Sequence, residues 1–363
     1  MSHENTESLP ATNPPPAHGT AGATPPGAKN DAAARQGARP APPYPVAQAL
    51  APLAASWIAL GAHFWEWTEW LGVGTATPTG DSPAYAILLG AVFAIWLAFA
   101  GGAWFAAGLR AKVRHNGPLL TAGILTAVVW ETVTARLGVL PMPYFPGPDR
   151  VFGVMLDEAP LLAESAWASL RLLAIGLGCG GVSGFLLGVW FGWSRRAAYW
   201  GMPVLKFLGP VPATAWIPFA LMLFPTTQGA SVFIVALASL FPMVVLTASG
   251  VAGTRHSHLE VARTLGAKPG QLILRVAIPS ALPSIFTGLF MALSASFITL
   301  VVAEAIGAKA GLGWYINWAQ NFAEYHKIHA SLLLMAMFFS SLMAALFLVR
   351  DRVLRWQQGL IKW

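Results

Sequence analysis

The chain has 363 residues, 56% of them hydrophobic and only 10% charged, with a formal net charge of +7. Soluble domains carry about 25% charged residues, whereas several apolar runs here reach the roughly 20 residues a helix needs to cross a bilayer. The totals exclude a soluble domain, and the lack of alternating runs of about 10 residues excludes a transmembrane β-barrel. The fold class expected is an all-α polytopic membrane protein.

Residues 1–47 are rich in Pro, Ala, Gly, Asn and Thr and read as a disordered tail, because nothing in them can bury a core. They lack an apolar stretch behind a basic start, so no cleaved signal peptide of the usual kind is expected. Eight apolar segments follow, at about 50–72, 83–109, 118–138, 166–192, 203–224, 231–252, 284–303 and 329–349. The first carries Glu66 and Glu69 among four tryptophans, and it either spans the bilayer or lies in the interface.

The basic residues collect in short connections, as orientation signals do, which removes the case for nucleic acid as a partner. They are Arg110, Lys112 and Arg114, then Arg195, Arg196 and Lys206, then Arg255, Arg263, Lys268 and Arg275, and finally Arg350, Arg352, Arg355 and Lys362. Between these sets, "FPTTQGA" has no basic residue, and "MPYFPGPDRVFGVMLDEAPLLAE" has one Arg against four acids. The alternation puts the basic set in the cytoplasm, with both termini inside; Arg35 and Arg39 agree. The single cysteine, Cys179, sits in an apolar run and excludes an internal disulfide or a thiolate metal cluster.

Within the core segments several features admit two readings. Pro210, Pro212 and Pro218 free backbone carbonyls that can line a pathway, or they bend a helix for packing. Gly178, Gly180, Gly181, Gly184 and Gly188 allow close helix approach. Ser294, Ser296 and Thr299 can meet a polar solute or bond back to their own helix. Glu304 is either a gating group or half of a pair with Lys309. The tail "RDRVLRWQQGLIKW" is basic and amphipathic, suited to contact with membrane lipid.

The segment "EVARTLGAKPGQLILRVAIPSALP", 260–283, is ordered in a way a plain loop is not. Ser257 and Glu260 have the spacing of a capping box. Leu259, Ala262 and Leu265 then share a helix face, and Gly266 is placed to end that helix. Pro269-Gly270 marks a second turn, and Leu272, Ile273 and Val276 form another apolar face before Pro279 and Pro283. The expectation is two short helices at an angle, with the small residues Ala262, Gly266 and Ala267 at the bend. On the residues alone, an amphipathic loop lying on the membrane surface fits equally well.

This segment resembles the EAA signature of binding-protein-dependent ABC importer permeases, carried here by Glu260-Val261-Ala262, Gly266 and Val276-Ala277-Ile278-Pro279. Val261, Val276 and Ile278 are apolar departures from the pattern. "VVWETVTARLGVLP", "ESAWASLRLLAIGLGCGGVSGFLLGVWFGWS", "LGPVPATAWIPFALMLF", "SLFPMVVLTASGV" and "VAEAIGAKAGLGWYI" resemble the nitrate/sulfonate/taurine branch of that family. The Phe-Gly-x-Gly of that branch is replaced by "FPTTQGAS". The likeness covers roughly 118–363 and implies a six-helix core of the type I importer kind, with 48–117 as about two extra membrane segments.

The resemblance also implies function: a permease in the bacterial inner membrane for a small anionic solute, of the nitrate, sulfonate, taurine or bicarbonate class. Glu260, Ala262, Arg263, Leu265, Gly266, Ala267 and Pro279, within a loop of about 253–283, would couple to cytoplasmic ABC ATPase subunits. A periplasmic or lipid-anchored binding protein would deliver the solute, and two permeases would pair as a homodimer. No Walker A loop occurs in the chain, so ATP and Mg belong to the partner, and no cofactor or catalysis is expected of this chain. The competing class, an ion-coupled secondary transporter, calls for ionisable residues in mid-helix, but Glu131 and Arg136 sit towards helix ends.

Overall fold

The computed structural model describes residues 45–64, 84–137, 139–140 and 143–357, and every regular element among them is helical. The tail expected over 1–47, apart from its last three residues, lies outside this set, as do Glu66, Glu69 and Lys362. The helices are α1 (Val46–Phe64), α2 (Ala84–Phe105), α3 (Ala107–Glu131), α4 (Pro148–Asp157) and α5 (Ala159–Trp193). They continue as α6 (Arg195–Leu208), α7 (Ile217–Leu223), α8 (Thr227–Ala252), α9 (His256–Thr264) and α10 (Pro269–Leu272). The last three are α11 (Ile278–Gly307), α12 (Leu312–Asn321) and α13 (Tyr325–Val353). Among the described residues seven helices are long and apolar enough to cross a membrane: α1, α2, α3, α5, α8, the run Pro269–Gly307 and α13.

The fifth expected span, 203–224, is not straight. α6 and the segment Ala213–Leu223 meet at 89°. Pro210 and Pro212 sit in the break, each removing a backbone donor, so a helix cannot run through them. α6 is amphipathic, with Ser194 accepting from the Ala197 N–H at its start, and it carries Arg195, Arg196 and Lys206.

The basic stretch 110–114, expected as a loop, is the opening of α3 instead. Only Ala106, in an extended conformation, separates α2 from α3. Arg110 turns back to donate to the carbonyls of Ala103 and Trp104, which satisfies the exposed end of α2. The division expected between 117 and 118 therefore falls inside one continuous helix. α1 packs along α3 and α2, and Trp96 donates to the Ala49 carbonyl at 3.0 Å. A buried His63–Glu131 contact of 2.8 Å joins α1 to the far end of α3.

At the centre, α8 lies between α5 and α11. The α5–α8 contact is close because Gly176, Gly180, Gly184, Gly188 and Gly192 recur every fourth residue along one face. A Cβ at Gly180 would lie 2.0 Å from the Ala236 carbonyl oxygen. Gly178 and Gly181, expected to share this role, point into open space, because their positions lie off that face. Leu172, Leu173, Val235, Leu293 and Leu300 complete the core between these helices.

Candidate functional site

The polar and glycine-rich motifs gather at the two ends of the helical core. At one end, α8 finishes at Ala252 and the chain turns through α9 into the run that begins at Pro269. Thr254 and Ser280 hydroxyls meet at 2.9 Å across the base of this hairpin. α9 has Arg255 as its N-cap, with no side-chain cap, so Ser257 lies inside the first turn and the expected capping box does not form. Glu260 is instead 3.3 Å from Nδ1 of His256, one turn earlier, where both side chains are exposed.

Gly266 ends α9 as the pattern requires. Its φ is +81°, its N–H donates to Arg263, and the Ala267 N–H donates to Ala262. This pair of bonds is a Schellman motif, which needs a left-handed residue at the glycine position. The tip is open: Leu265 is 83% exposed and Val261 60%. Glu260, Arg263 and Gly266 are exposed beside them, while Ala262, Ala267 and Pro279 are half-buried.

The second arm differs from the expected short helix closed by prolines. Pro269 opens a helix, with the Gln271 side chain accepting from the Lys268 N–H at 2.9 Å. That helix passes through a π turn at Ile273–Ala277 straight into α11. The wider turn comes just before Pro279, where a proline ring and missing N–H would otherwise break the helix.

At the other end, α11 stops at Gly307 and Gly311, at φ +145°, redirects the chain into α12. Glu304 is buried, and its Oε2 accepts from the Gly313 N–H at 2.8 Å. Ser169 of α5 accepts from the Leu312 N–H at 2.9 Å. Both bonds satisfy free donors at the start of α12, where a negative group is also favoured by the helix dipole. Glu304 is thus committed to this turn rather than to an ion pair with Lys309.

A second carboxylate at this end, Glu158, received no role from the sequence. It accepts from the Tyr315 hydroxyl and lies 2.7 Å from Lys327, which also meets Glu324 at 2.6 Å. Burial alone would push the Glu158 carboxyl up, but the Lys327 and Tyr315 hydrogen bonds and the Lys327 charge outweigh it and hold the group below 4.5. Burial, then the bond to Glu158, raises the Tyr315 phenol well above its ordinary range.

The expected pathway residues fall into two sets. Pro210, Pro212 and Pro218 are exposed around the break between α6 and α7. The hydroxyls do not gather: Ser294 donates to Phe290 and Thr299 to Ala295, each in its own helix, while Ser296 donates across to Val235 of α8. None of these residues lines the open recess of ≈ 580 Å³ that lies between α5, the start of α8 and the 307–310 turn. Arg171, Thr226, Thr227, Gln228, Ser231 and Lys309 supply its polar lining. Arg171 belongs to the Ser-Leu-Arg of the quoted α5 stretch, but its direction became visible only with α8 in place.

Residues 182–358 match a model of the binding-protein-dependent transport system inner membrane component family. A putative aliphatic sulfonates transport permease protein of Bacillus subtilis is 29% identical over 248 residues, covering 67% of this chain and 88% of that protein. A probable ABC transporter permease protein of Brucella abortus is 30% identical over 236 residues, covering 63% and 91%. A nitrate import permease protein of Synechococcus elongatus is 28% identical over 264 residues, covering 69% and 91%.

Proposed function

Because the chain belongs to the family of binding-protein-dependent transport system inner membrane components, we propose that it forms half of a pathway for a small anionic solute and is driven through its 257–283 hairpin. As an ABC importer permease subunit it is a transport component rather than an enzyme, and it works with an ATPase and a substrate-binding protein. The observation that carries the coupling role is the exposed bend at Gly266. It presents Val261 and Leu265 to solvent at the end of the central helices, and apolar side chains exposed together at a loop tip mark a contact surface.

In this reading a groove on the cytoplasmic ATPase receives α9, with Glu260, Arg263 and Leu265 at the contact. Ala262, Gly266 and Ala267 allow close approach, and Pro279 sets the direction of α11. Because that arm is continuous with α11, a push on the hairpin is delivered to a core helix without a loop between. The basic residues at this end support a cytoplasmic location for the hairpin and for both termini, in a bacterial inner membrane. Two such chains would pair, and a periplasmic or lipid-anchored binding protein would meet the opposite end. The break at Pro210 and Pro212, with Pro218 beside it, supports a pathway wall there. Ser294, Ser296 and Thr299 are better explained as packing groups, since their hydroxyls are already used. The aliphatic sulfonates and nitrate named for two relatives are small oxyanions, which supports an anion as cargo.

Co-expression with an ABC ATPase partner subunit tests the coupling role. The expected result is that the ATPase co-purifies with the chain, and that Gly266→Trp and Glu260→Lys each abolish this while membrane insertion is unchanged. If both variants still recruit the ATPase and support uptake, the hairpin is not the coupling element.

A further inference from the structure

The recess between α5, α8 and the 307–310 turn is positively charged, and its charge is uncompensated. Arg171 and Lys309 both line it, and no carboxylate does. Among the described residues neither cation has an ion-pair partner. Three carboxylates at the same end are engaged elsewhere, and Glu164, two turns before Arg171 on α5, is exposed and does not line the recess. Glu304 caps α12 through Gly313, while Glu158 and Glu324 share Lys327. Two like charges turned to one concave space repel each other, and a bound anion would relieve that repulsion.

The remaining lining suits the same ligand. α8, 26 residues long, starts at the recess, where Thr226 takes up the Gly229 N–H with its own oxygen. The N–H groups of Thr227 and Gln228 have no acceptor within the helix and carry its positive dipole end. The Thr227 and Gln228 side chains add donors that need no charge. A guanidinium fork fits two oxygens of a planar or tetrahedral oxyanion, and a lysine adds a movable point charge.

Depth along the helices gives the recess its place. Arg171 precedes the end of α5 at Trp193 by 22 positions, about 33 Å along an α-helix. That matches the roughly 30 Å hydrocarbon core, so the recess opens at the membrane face opposite the hairpin.

We propose that Arg171 and Lys309, with the first turn of α8, form an oxyanion-binding site at the outer mouth of the chain, taking a small carboxylate, nitrate, bicarbonate or sulfonate. The site deepens the importer reading and rests on it only for the direction of transport. An anion released by a binding protein would first be held here.

The test uses the full chain in lipid nanodiscs, with Cys179→Ala and a reporter, Ala310→Cys, in the recess wall. Its reaction rates with thiosulfonate reagents carrying a sulfonate or a trimethylammonium group are compared, each normalised to the rate with 2-mercaptoethanol. The site predicts that the sulfonate reagent is favoured by about tenfold or more, and that sodium nitrate slows its reaction where sodium chloride of equal strength does not. Arg171→Gln with Lys309→Gln should remove both effects, while Arg171→Lys should keep most of the preference. Equal normalised rates, no labelling of the reporter, or nitrate protection unchanged in the double variant would each overturn the site. ATPase co-purification with the reporter chain that keeps Arg171 and Lys309 is a separate readout: absence of the anion preference there with recruitment intact sinks the site and leaves the coupling hairpin standing.

Discussion

The carboxylate of Glu304, near the end of α11, accepts the backbone N–H of Gly313, in the first turn of α12, across a reversal of nine residues. The turn leaves no room for alternatives: a Cβ at Gly311 would lie 2.5 Å from the Glu304 carboxyl carbon, and one at Gly313 would lie 2.5 Å from the Val301 carbonyl. The glycines of "GLG" are therefore spaces for a buried acid and a helix crossing. Glu304→Ala should leave a buried donor without a partner, at a cost of about 1–3 kcal/mol. Glu304→Gln keeps an acceptor and should cost less. Thermal unfolding of the purified protein, followed by tryptophan fluorescence, would rank the two, and equal losses would remove the capping role.

The glycine row on α5 predicts a position-specific effect. Gly180→Leu forces a side chain into the Ala236 carbonyl and should destabilise by at least the 1–3 kcal/mol typical of overpacking. A Cβ at Gly178 would meet nothing within 4 Å, so Gly178→Leu should leave stability nearly unchanged. The yield of monodisperse protein in detergent separates them. A comparable loss from both would mean that general hydrophobic load, and not the helix contact, decides.

For the fold of the chain itself Gly266 needs its backbone conformation rather than its small size, since nothing lies within 4 Å of a Cβ there. Gly266→Ala should therefore cost only the left-handed strain, about 1–2 kcal/mol, and should loosen the bend locally. Hydrogen exchange over 256–268 should rise, with the core helices unaffected. An unchanged exchange pattern would show that the bend is held by other contacts.

The Glu158 carboxyl is held below its ordinary value, so it remains charged to lower pH in the folded chain than in the unfolded one. Its contribution is fully present above about 4.5 and is lost as pH falls through the lower folded value. Lys327→Met should accordingly lower the melting temperature near pH 6, and the gap to the unsubstituted chain should narrow below pH 4.5. A gap independent of pH would mean that Lys327 acts through packing alone.

Some of this was plain in the order of residues. Long apolar runs become helices because the bilayer leaves the backbone no other way to satisfy its polar groups, and each expected run contains helix wherever it is described. The Gly266 bend was equally legible, because only a left-handed residue closes that pattern of bonds. The capping box was not. Ser257 has the right spacing, but α9 begins at His256 with Arg255 as its N-cap, and a two-residue shift moves the hydroxyl off the cap. The 203–224 run has the length and composition of a span, and only the paired prolines hinted at the 89° break.

The sequence by itself determined the membrane class, the approximate spans, the bend and the family, since each depends on local chemistry or on a motif along the chain. The tertiary structure decided which glycines touch a neighbour, which acids are already used, and where Arg171 and Lys309 point. Those outcomes depend on groups far apart in sequence: Arg171 and Lys309 line one recess only because α5, α8 and α11 pack side by side. The charge of that recess is a sum over groups brought together by folding, so no single stretch of sequence contains it.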